Sequence, residues 1–422
     1  MEPKKPYFAA ILITLLLASA IAPAQTQTSK FKVLHTFRGA PNDGAAPWGV
    51  LVRDGDGSFY GTTTSGGSGR GFCTNYSGCG TAFKFDKAGT KTWLHSFAFP
   101  EGWSPEAGLL RDKRGNLYGT TDAGGDTACY YDSDGCGTLF KLDTTGKETV
   151  LHKFTGDPDG WGPGEQPMVE DASSNLYGTT VSGGKYGFGS IFRIDKAGDE
   201  TVLYSFTCYS DGCGPNGVIL DASGNLYGVA FDGGVAFGNS GYGVVFELDR
   251  SGNLTVLHTF ESGADGANPD SALVFGSTGN LYGTTQNGGS GECGGTGCGT
   301  IFELSPKDGN WSETVLYSFC SLSGCTDGER PLFGPLVIDN SGNIYGTTYF
   351  GGKAEDGVVF KLDNSRHETV LHSFTGGKDG AYPVTGMIRD NAGNLYGTAV
   401  GGGDPNCQPK YGGCGTLFKI AP

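Results

Sequence analysis

Histidine is the side chain best suited to proton transfer near neutral pH, and this sequence contains six histidines. His367 lies in a predicted turn, where we expect it to be solvated. The other five share one position of a repeated segment, T-V-L-H-x-F or a close variant, in which tyrosine twice replaces histidine: His35, His95, His152, His258 and His372, with Tyr204 and Tyr317. A side chain used once in each repeat does not converge on one site, so we predict that these residues serve packing.

Hydrolysis of a glycosidic bond needs two carboxyl groups that face each other in a cleft. Acidic residues that stand outside the repeated segments include Glu101, Glu106, Glu165, Asp132, Asp134, Glu292, Glu329 and Glu355. Their spacing singles out no pair, and no Ser–His–Asp set remains once the histidines belong to the repeat. The sequence therefore predicts no catalytic residue. The alternative is an extracellular glycan-cleaving enzyme, a hydrolase or a lyase, that uses Glu101, Glu106 or Glu165.

Aromatic residues that interrupt the repeat are the predicted ligand-binding residues. Trp48, Trp103 and Trp161 lie in or beside the loops that enter the first three repeats, and Tyr130 and Tyr131 lie in another variable loop. Rings surrounded by Asp, Asn and Gly suit stacking on the apolar faces of sugars, while the polar groups bind hydroxyls. In the alternative interpretation these rings fill gaps between loops or cover the mouth of a central channel.

Recurrent aspartates could indicate calcium binding, because six of seven repeats carry one in a D-x-x-G-N segment or a close variant, and Gly276 replaces it in the fifth. Calcium takes six to eight oxygen ligands, and the sequence contains no D-x-[DN]-x-[DN]-G loop. We predict that these aspartates, including Asp54 in the densest local cluster, stabilise turns. No metal and no cofactor is predicted, and calcium is the alternative. The sequence also has no G-x-x-x-x-G-K-[ST] phosphate loop.

Twelve cysteines fall into six close pairs, separated from one another by long gaps. Even numbers and close pairing in an exported chain predict local disulfides. Zinc binding is the alternative, although the cysteine-bearing loops contain no histidine. The predicted pairs are Cys73–Cys79, Cys129–Cys136, Cys208–Cys213, Cys293–Cys298, Cys320–Cys325 and Cys407–Cys414.

The N-terminus predicts export. Lys4 and Lys5 precede an apolar run at residues 9–22 and an A-x-A site that ends at Ala24, the order of a secretory signal peptide. Cleavage near Ala24 leaves residues 25–422 as a secreted, extracellular or periplasmic protein without a further membrane span. The full chain has a formal charge of −15. This acidity provides no basic surface for nucleic acid or an anionic membrane.

One unit recurs seven times, and its most visible element is N-L-Y-G-T-T or a close variant. Each unit predicts four short strands: A, an apolar run; B, NLYGTT; C, G-T-x-F-K-L-D; and D, T-V-L-H-x-F. Short turns join A to B and C to D, whereas the B–C and D–A loops vary in length. The strand B tyrosines are Tyr60, Tyr118, Tyr177, Tyr227, Tyr282, Tyr345 and Tyr396.

Repeats of four strands over 50–63 residues predict an all-β fold, a seven-bladed β-propeller of four-stranded antiparallel blades. The order of the strands at the two ends of the chain predicts how the ring of blades closes. A strand D at residues 33–37 precedes every other strand, and the chain ends in a strand C at residues 417–420. We therefore predict one propeller domain over residues 25–422, in which the N-terminal strand completes the last blade, and we expect a monomer.

The repeat NLYGTT, followed by a Gly pair, G-T-x-F-K-L-D and T-V-L-H-S-F, resembles the GloVer tandem repeat of "choice-of-anchor" bacterial surface proteins. The resemblance extends from Val33 to Ile420 and implies an exported repeat protein without a defined reaction. Members of that family typically carry a C-terminal sorting or anchoring signal. Because this sequence ends at Pro422, directly after strand C, we expect free secretion or periplasmic residence.

Function on a propeller is expected in variable loops held by a rigid scaffold. The sequence therefore predicts a binding module that uses its B–C and D–A loops, with an extracellular glycan or a surface protein as partner. The alternatives are the glycan-cleaving enzyme described above and a structural repeat protein of the cell envelope.

Overall fold

A computed structural model of the chain describes residues 30–68, 73, 77–126, 129, 134–235, 241–291, 293–407 and 412–422. These residues form seven four-stranded antiparallel blades, which confirms the predicted propeller. The signal peptide and its cleavage site near Ala24 lie outside the described residues.

The blades follow the repeats in chain order, with strands given from inside to outside. Blade 1 contains Val52–Arg53, Phe59–Thr63, Thr81–Phe85 and Lys91–Ser96; blade 2 contains Leu110–Arg111, Leu117–Thr121, Thr138–Leu142 and Glu148–Lys153. Blade 3 contains Val169–Glu170, Leu176–Ser182, Ser190–Ile194 and Glu200–Ser205; blade 4 contains Cys213–Leu220, Leu226–Asp232, Val244–Leu248 and Leu254–Thr259. Blade 5 contains Val274–Phe275, Leu281–Asn287, Thr300–Lys307 and Asn310–Ser318; blade 6 contains Val337–Ile338, Ile344–Thr348, Val358–Leu362 and Glu368–Ser373.

Blade 7 joins the two ends of the chain. Its strands A, B and C are Ile388–Arg389, Leu395–Ala399 and Thr416–Ala421, and its strand D is the N-terminal Lys30–Thr36. The pairing runs antiparallel from Lys30 opposite Ala421 to Thr36 opposite Thr416. The predicted closure of the last blade is therefore confirmed.

Short additional elements lie in the loops. Trp161–Pro163 pairs with strand B of blade 3, Ala267–Pro269 pairs with strand B of blade 5, and Gly44–Ala45 pairs with Ser65–Gly66. Two single-turn 3₁₀ helices span Gly263–Asp265 and Ser323–Cys325.

Phenylalanines make the seams between blades. At each seam a fully buried strand D phenylalanine packs edge-on against a strand C phenylalanine of the next blade, with ring centroids 4.9–5.4 Å apart. The glycine of NLYGTT makes room for the strand C ring: a Cβ at any of the seven glycines would lie 2.5–2.8 Å from that ring's tip. The seam pairs are Phe37–Phe83, Phe97–Phe140, Phe154–Phe192, Phe206–Phe246, Phe260–Phe302, Phe319–Phe360 and Phe374–Phe418.

The recurrent aspartates bind the turn between strands A and B. In blade 2, Asp112 Oδ1 accepts hydrogen bonds from the backbone N–H groups of Arg114 and Asn116, and Oδ2 accepts from the Asn116 amide at 2.7 Å. Burial acts to raise the pKa of Asp112, but these hydrogen bonds outweigh it and hold that pKa below its ordinary value. Donors of the turn thus engage both carboxylate oxygens.

In blade 5 Gly276 stands in place of this aspartate, and a residue of another strand accepts the hydrogen bonds of the turn. Glu303 of strand C accepts hydrogen bonds through Oε1 from the Asn280 amide at 2.5 Å and from the Tyr282 hydroxyl at 2.7 Å. Blade 4 has a glutamate at the same place, Glu247, but keeps its turn aspartate, Asp221.

Replacing Glu303 by Ala is expected to lower the free energy of unfolding by about 1–3 kcal/mol, because the Asn280 and Tyr282 side chains lose their shared acceptor. Glu247→Ala is the matched control, since Asp221 still binds Asn225, and its expected cost is below about 1 kcal/mol. Denaturant unfolding measures both. Equal costs for the two variants would refute the compensation.

Candidate functional site

Two ends of the propeller differ in chemistry. Grooves of about 550 and 760 Å³ lie between blades at the turn end, lined by A–B and C–D turn residues such as Asp171, Asp195, Asp221 and Asp249. These residues belong to the repeated turns. The loop end instead carries side chains that differ in type from one blade to the next.

One position of the D–A loop provides a ring of such side chains. In every blade the strand A residue that pairs with the NLYGTT tyrosine serves as reference, for example Val52 opposite Tyr60. Counting four residues back from it in blades 1, 2, 3, 5, 6 and 7 gives Trp48, Glu106, Glu165, Asp270, Phe333 and Val384, which we name the axial ring. In blade 4 this segment is one residue shorter, and the same count reaches Pro215, which packs on Gly189 as Pro105 packs on Gly80 in the blade 2 loop. Positions beside strand A of a closed propeller surround its axis, so the six residues of the ring converge although the sequence separates them widely.

Contacts between distant blades confirm that the ring converges. Trp48 Nε1–H of blade 1 donates to Glu165 Oε2 of blade 3 at 2.9 Å, and the Trp48 ring lies 5.9 Å from that of Phe333 in blade 6. Gln166, next to Glu165, donates through Nε2 to the Phe333 carbonyl across the axis. Adjacent blades are also tightly packed here, since a Cβ at Gly217 would lie 2.4 Å from Gln166 Cβ.

Acidic groups occupy one side of the axial ring. Burial, followed by the negative charges of Glu106 and Asp270, raises the pKa of Glu165 well above its ordinary value. Burial also raises the pKa of Asp270 to about 7, although a hydrogen bond from Asn216 opposes the shift. Both groups thus bind protons more tightly than free carboxyls do, and their protonated forms can donate hydrogen bonds.

Asn216 connects two of these carboxyl-bearing residues. Its Oδ1 accepts the Glu165 backbone N–H at 3.0 Å, and its Nδ2 donates to Asp270 Oδ1 at 3.0 Å. Asn216 is 3% exposed and Asp270 is 8% exposed, so this polar link beside the axial ring is buried.

Aromatic side chains occupy the other side, contributed by blades 1, 6 and 7. Trp48, Phe333, Tyr349 and Tyr382 pack against a small buried cluster of Ala46, Val384 and Val400. The rings of Tyr349 and Tyr382 have centroids 5.1 Å apart. The axial ring and the side chains packed on it, which together we name the mouth, therefore have an aromatic half and a carboxyl half.

The structure separates the predicted tryptophans. Trp48 belongs to the axial ring, whereas Trp103 pairs through its backbone with Ala123 and packs against the core between blades 1 and 2. Trp161 pairs with Ser182 and packs against the next core. Tyr130 and Tyr131 lie outside the described residues. The most exposed described tyrosines of the loop end are Tyr186, Tyr209 and Tyr242, at 49%, 51% and 43%.

The strand D histidines contact carboxyl groups at the outer rim of the seams. Four of them contact an aspartate of the following D–A loop, as in His152 Nε2 to Asp159 Oδ2 at 2.9 Å, and His95 contacts Glu148 of the next blade at 2.9 Å. None of these contacts joins more than two neighbouring blades, so the histidines do not meet in one site. Glutamates of strand D in the next blade also lie at this rim. One of them is Glu368, whose pKa is raised to about 8 by burial and then by the negative charge of Asp327.

Glu368→Gln tests the consequence for stability. A carboxyl whose pKa is raised in the folded state stabilises the fold fully below its ordinary pKa, and this contribution is lost as the pH rises toward 8. The variant is therefore expected to match the parent protein near pH 5 and to exceed it at pH 8 by on the order of 1 kcal/mol. Glu313→Gln is expected to show the same trend but to level off near pH 7, the raised pKa of Glu313. Thermal unfolding from pH 5 to 8.5 measures both, and a difference independent of pH would contradict the expectation.

All six predicted disulfides are present, and their cysteines lie in B–C or D–A loops except for Cys213, which begins strand A of blade 4. Disulfides at this density are typical of proteins in oxidising compartments. In the part of the chain that the structure describes, no helix is long and apolar enough to span a membrane.

These features define a disulfide-bonded seven-bladed propeller with an asymmetric mouth on its axis. The chain belongs to the Gloeobacter/Verrucomicrobia repeat family, whose model matches residues 20–157, 71–296 and 291–422. The resemblance seen in the repeat is thereby confirmed. No curated protein matches the chain.

Two solved structures share the fold at low identity, and a third has a lower TM-score. The extracellular domain of BT3049 from B. thetaiotaomicron is 13% identical, with a TM-score of 0.54 over 93% of this chain and 41% of that one. The extracellular domain of BT4673 from the same organism is 9% identical, with a TM-score of 0.54 over 91% and 39%. A gluconolactonase from Xanthomonas campestris is 16% identical, with a TM-score of 0.42 over 73% and 82%.

Proposed function

We propose that the protein is an exported, monomeric binding module that takes an extracellular glycan into the mouth formed by the axial ring. The observation that carries the proposal is the Trp48–Glu165 hydrogen bond, which joins the aromatic half of the mouth to its carboxyl half across two blades. An indole face supplies a surface for a sugar ring, and carboxyl and amide groups beside it bind hydroxyls.

Charge narrows the class of glycan. The chain carries a formal charge of −15, and the axial ring contains three acidic residues, Glu106, Glu165 and Asp270. Sulfated and uronic acid polymers would meet the like charge of the chain as a whole, whereas neutral and amino sugars would not, and the raised pKa values of Glu165 and Asp270 let these carboxyls donate hydrogen bonds to sugar hydroxyls. The proposed ligand is therefore a neutral or amino-sugar glycan.

Export rests on three observations of different kinds. Residues 1–24 have the order of a signal peptide, six disulfides staple the loops, and two propellers of similar fold are extracellular domains. We place the mature protein, residues 25–422, outside the cytoplasm and cleaved near Ala24.

A glycan array probed with the oxidised protein of residues 25–422, with and without a chelator, tests the proposal. We expect binding to neutral or amino-sugar glycans that chelation leaves unchanged. A signal lost on chelation would restore calcium as a cofactor. A blank array, or binding to acidic glycans alone, would contradict the proposal and favour a surface protein as partner or an envelope role.

A glycan-cleaving enzyme is the second candidate, favoured by the interaction of Glu106 with Glu165. The charge of Glu106 contributes to the raised pKa of Glu165, and a neutral carboxyl beside an ionised one is the pattern of a general acid and its partner.

Release of reducing ends from an array-positive glycan tests whether the protein is such an enzyme. Glu165→Gln and Glu106→Gln would each abolish release by such an enzyme, while Glu101→Gln, an exposed residue of the same loop, would not. No release by the parent protein would exclude this candidate for that glycan.

A further inference from the structure

Two disulfides meet at the loop end between blades 5 and 6. Cys293–Cys298 lies in the B–C loop of blade 5, and Cys320–Cys325 lies in the D–A loop that leads to blade 6. The four Sγ atoms and a carboxylate oxygen of Glu329 all lie within 4.8 Å of one another. Among the described residues, no other group of three or more Cys, His, Asp or Glu side chains meets this condition.

Backbone hydrogen bonds hold the two loops together independently of the sulfur–sulfur bonds. Arg330 N–H donates to the Cys298 carbonyl at 2.8 Å, and Phe319 N–H, beside Cys320, donates to the Gly299 carbonyl at 3.0 Å. Packing between the loops is close, because a Cβ at Gly291 would lie 2.5 Å from Cys298 Sγ and 3.0 Å from Cys320 Cβ. The four sulfurs are therefore expected to stay near one another when the disulfides open.

We propose that, once these two disulfides are reduced, Cys293, Cys298, Cys320 and Cys325 bind one zinc ion. Zinc takes four thiolates as a tetrahedron with Zn–S bonds of about 2.3 Å, which sets sulfur–sulfur distances of about 3.8 Å. The observed cluster already lies near this size. Each pair has four residues between its cysteines, the upper end of the spacing that zinc ligands use.

The chemistry balances with a dithiol as the reductant. Two dithiols give up four electrons and four protons and become disulfides, and the protein's two disulfides become four thiols. Zinc then replaces the four thiol protons, which are released to solvent. In the oxidised protein each loop is closed on itself, whereas zinc would link one loop to the other.

Metal binding to the full mature protein tests the proposal. The protein is reduced under anaerobic conditions with a phosphine, and bound metal is measured with Zn²⁺ and with Co²⁺, whose absorption reports tetrahedral thiolate coordination. We expect one tightly bound Zn²⁺ per chain and a thiolate-type Co²⁺ spectrum. Oxidised protein should show neither.

Cys298→Ser/Cys320→Ser is expected to weaken zinc binding by more than 100-fold, because each loop loses a ligand. Cys208→Ser/Cys213→Ser removes a disulfide of the same spacing that has no second pair beside it, and this control should keep the tight site. Equal loss in both variants, or no tight zinc in the reduced parent protein, would overturn the proposal. Circular dichroism accompanies each titration, and a reduced chain that loses its sheet signal and does not regain it with zinc would also overturn it.

Discussion

Phe37→Ala is expected to lower the free energy of unfolding by about 3–5 kcal/mol. Phe37 is fully buried and packs edge-on against Phe83 of blade 1, although it follows an N-terminal strand that belongs to blade 7. Truncation removes both the transfer free energy of the ring and the seam contact that joins the last blade to the first. A ring of blades is closed only while that seam holds, so the effect should equal that of any interior seam.

Phe154→Ala supplies the matched interior seam, because Phe154 is fully buried and packs against Phe192 with the same edge-on geometry. Lys32→Ala, on an exposed residue of the N-terminal strand, should cost less than about 0.5 kcal/mol. Denaturant unfolding of the three variants measures the comparison. A Phe37→Ala cost below about 1 kcal/mol beside a full cost for Phe154→Ala would show that blade 7 is not closed by the N-terminal strand.

Trp48→Ala is expected to weaken binding of an array-positive glycan by about 30- to 150-fold, the loss of about 2–3 kcal/mol that is typical of an anchor residue. The variant removes the indole face of Trp48 from the mouth and also the indole N–H that donates a hydrogen bond to Glu165. Titration calorimetry with the parent protein and the variant measures the change in affinity.

Trp103→Ala and Trp161→Ala are controls of equal chemistry, since both indoles pack against blade cores outside the axial ring. Each is expected to change the affinity by less than threefold. Trp311→Ala, in the C–D hairpin at the turn end, tests whether loss of any tryptophan perturbs the mouth. Equal loss in all four variants would point to general destabilisation and against a site at the axial ring.

The fold follows from the sequence because its signals are local and repeated. NLYGTT and T-V-L-H-x-F specify strands by their β-branched and aromatic residues, and D-x-x-G-N specifies the turn between strands. The phase of the first and last strands then predicts the closure that Lys30–Thr36 makes with Thr416–Ala421. The disulfide pairs could also be predicted, because each closes a loop of only a few residues.

The axial ring could not be predicted in the same way, since its members share a register position and not a residue type. Trp48, Glu106 and Glu165 stand out one by one in the sequence, but only the pairing of each strand A with its tyrosine shows that they are equivalent. Once that pairing is known, counting 12 residues back from Tyr60, Tyr118 or Tyr177 gives the position. The raised pKa of Glu165 depends partly on charges from other blades, so no local sequence pattern predicts it.

Contacts at the outer rim of the seams could not be predicted from the local sequence either. The histidines were recognisable as a repeated position, but the partner of His95 is Glu148 in the next blade. Such a contact follows only from the order of blades around the axis.

A crystal structure of the protein with an array-positive glycan locates the binding site. The proposed function predicts a sugar ring stacked on the Trp48 indole, with its hydroxyls hydrogen-bonded to side chains of the carboxyl half of the mouth, Glu106, Glu165 or Asp270. A glycan bound instead on Tyr186, Tyr209 and Tyr242, or in the grooves of the turn end, with nothing bound at the axial ring, would contradict it.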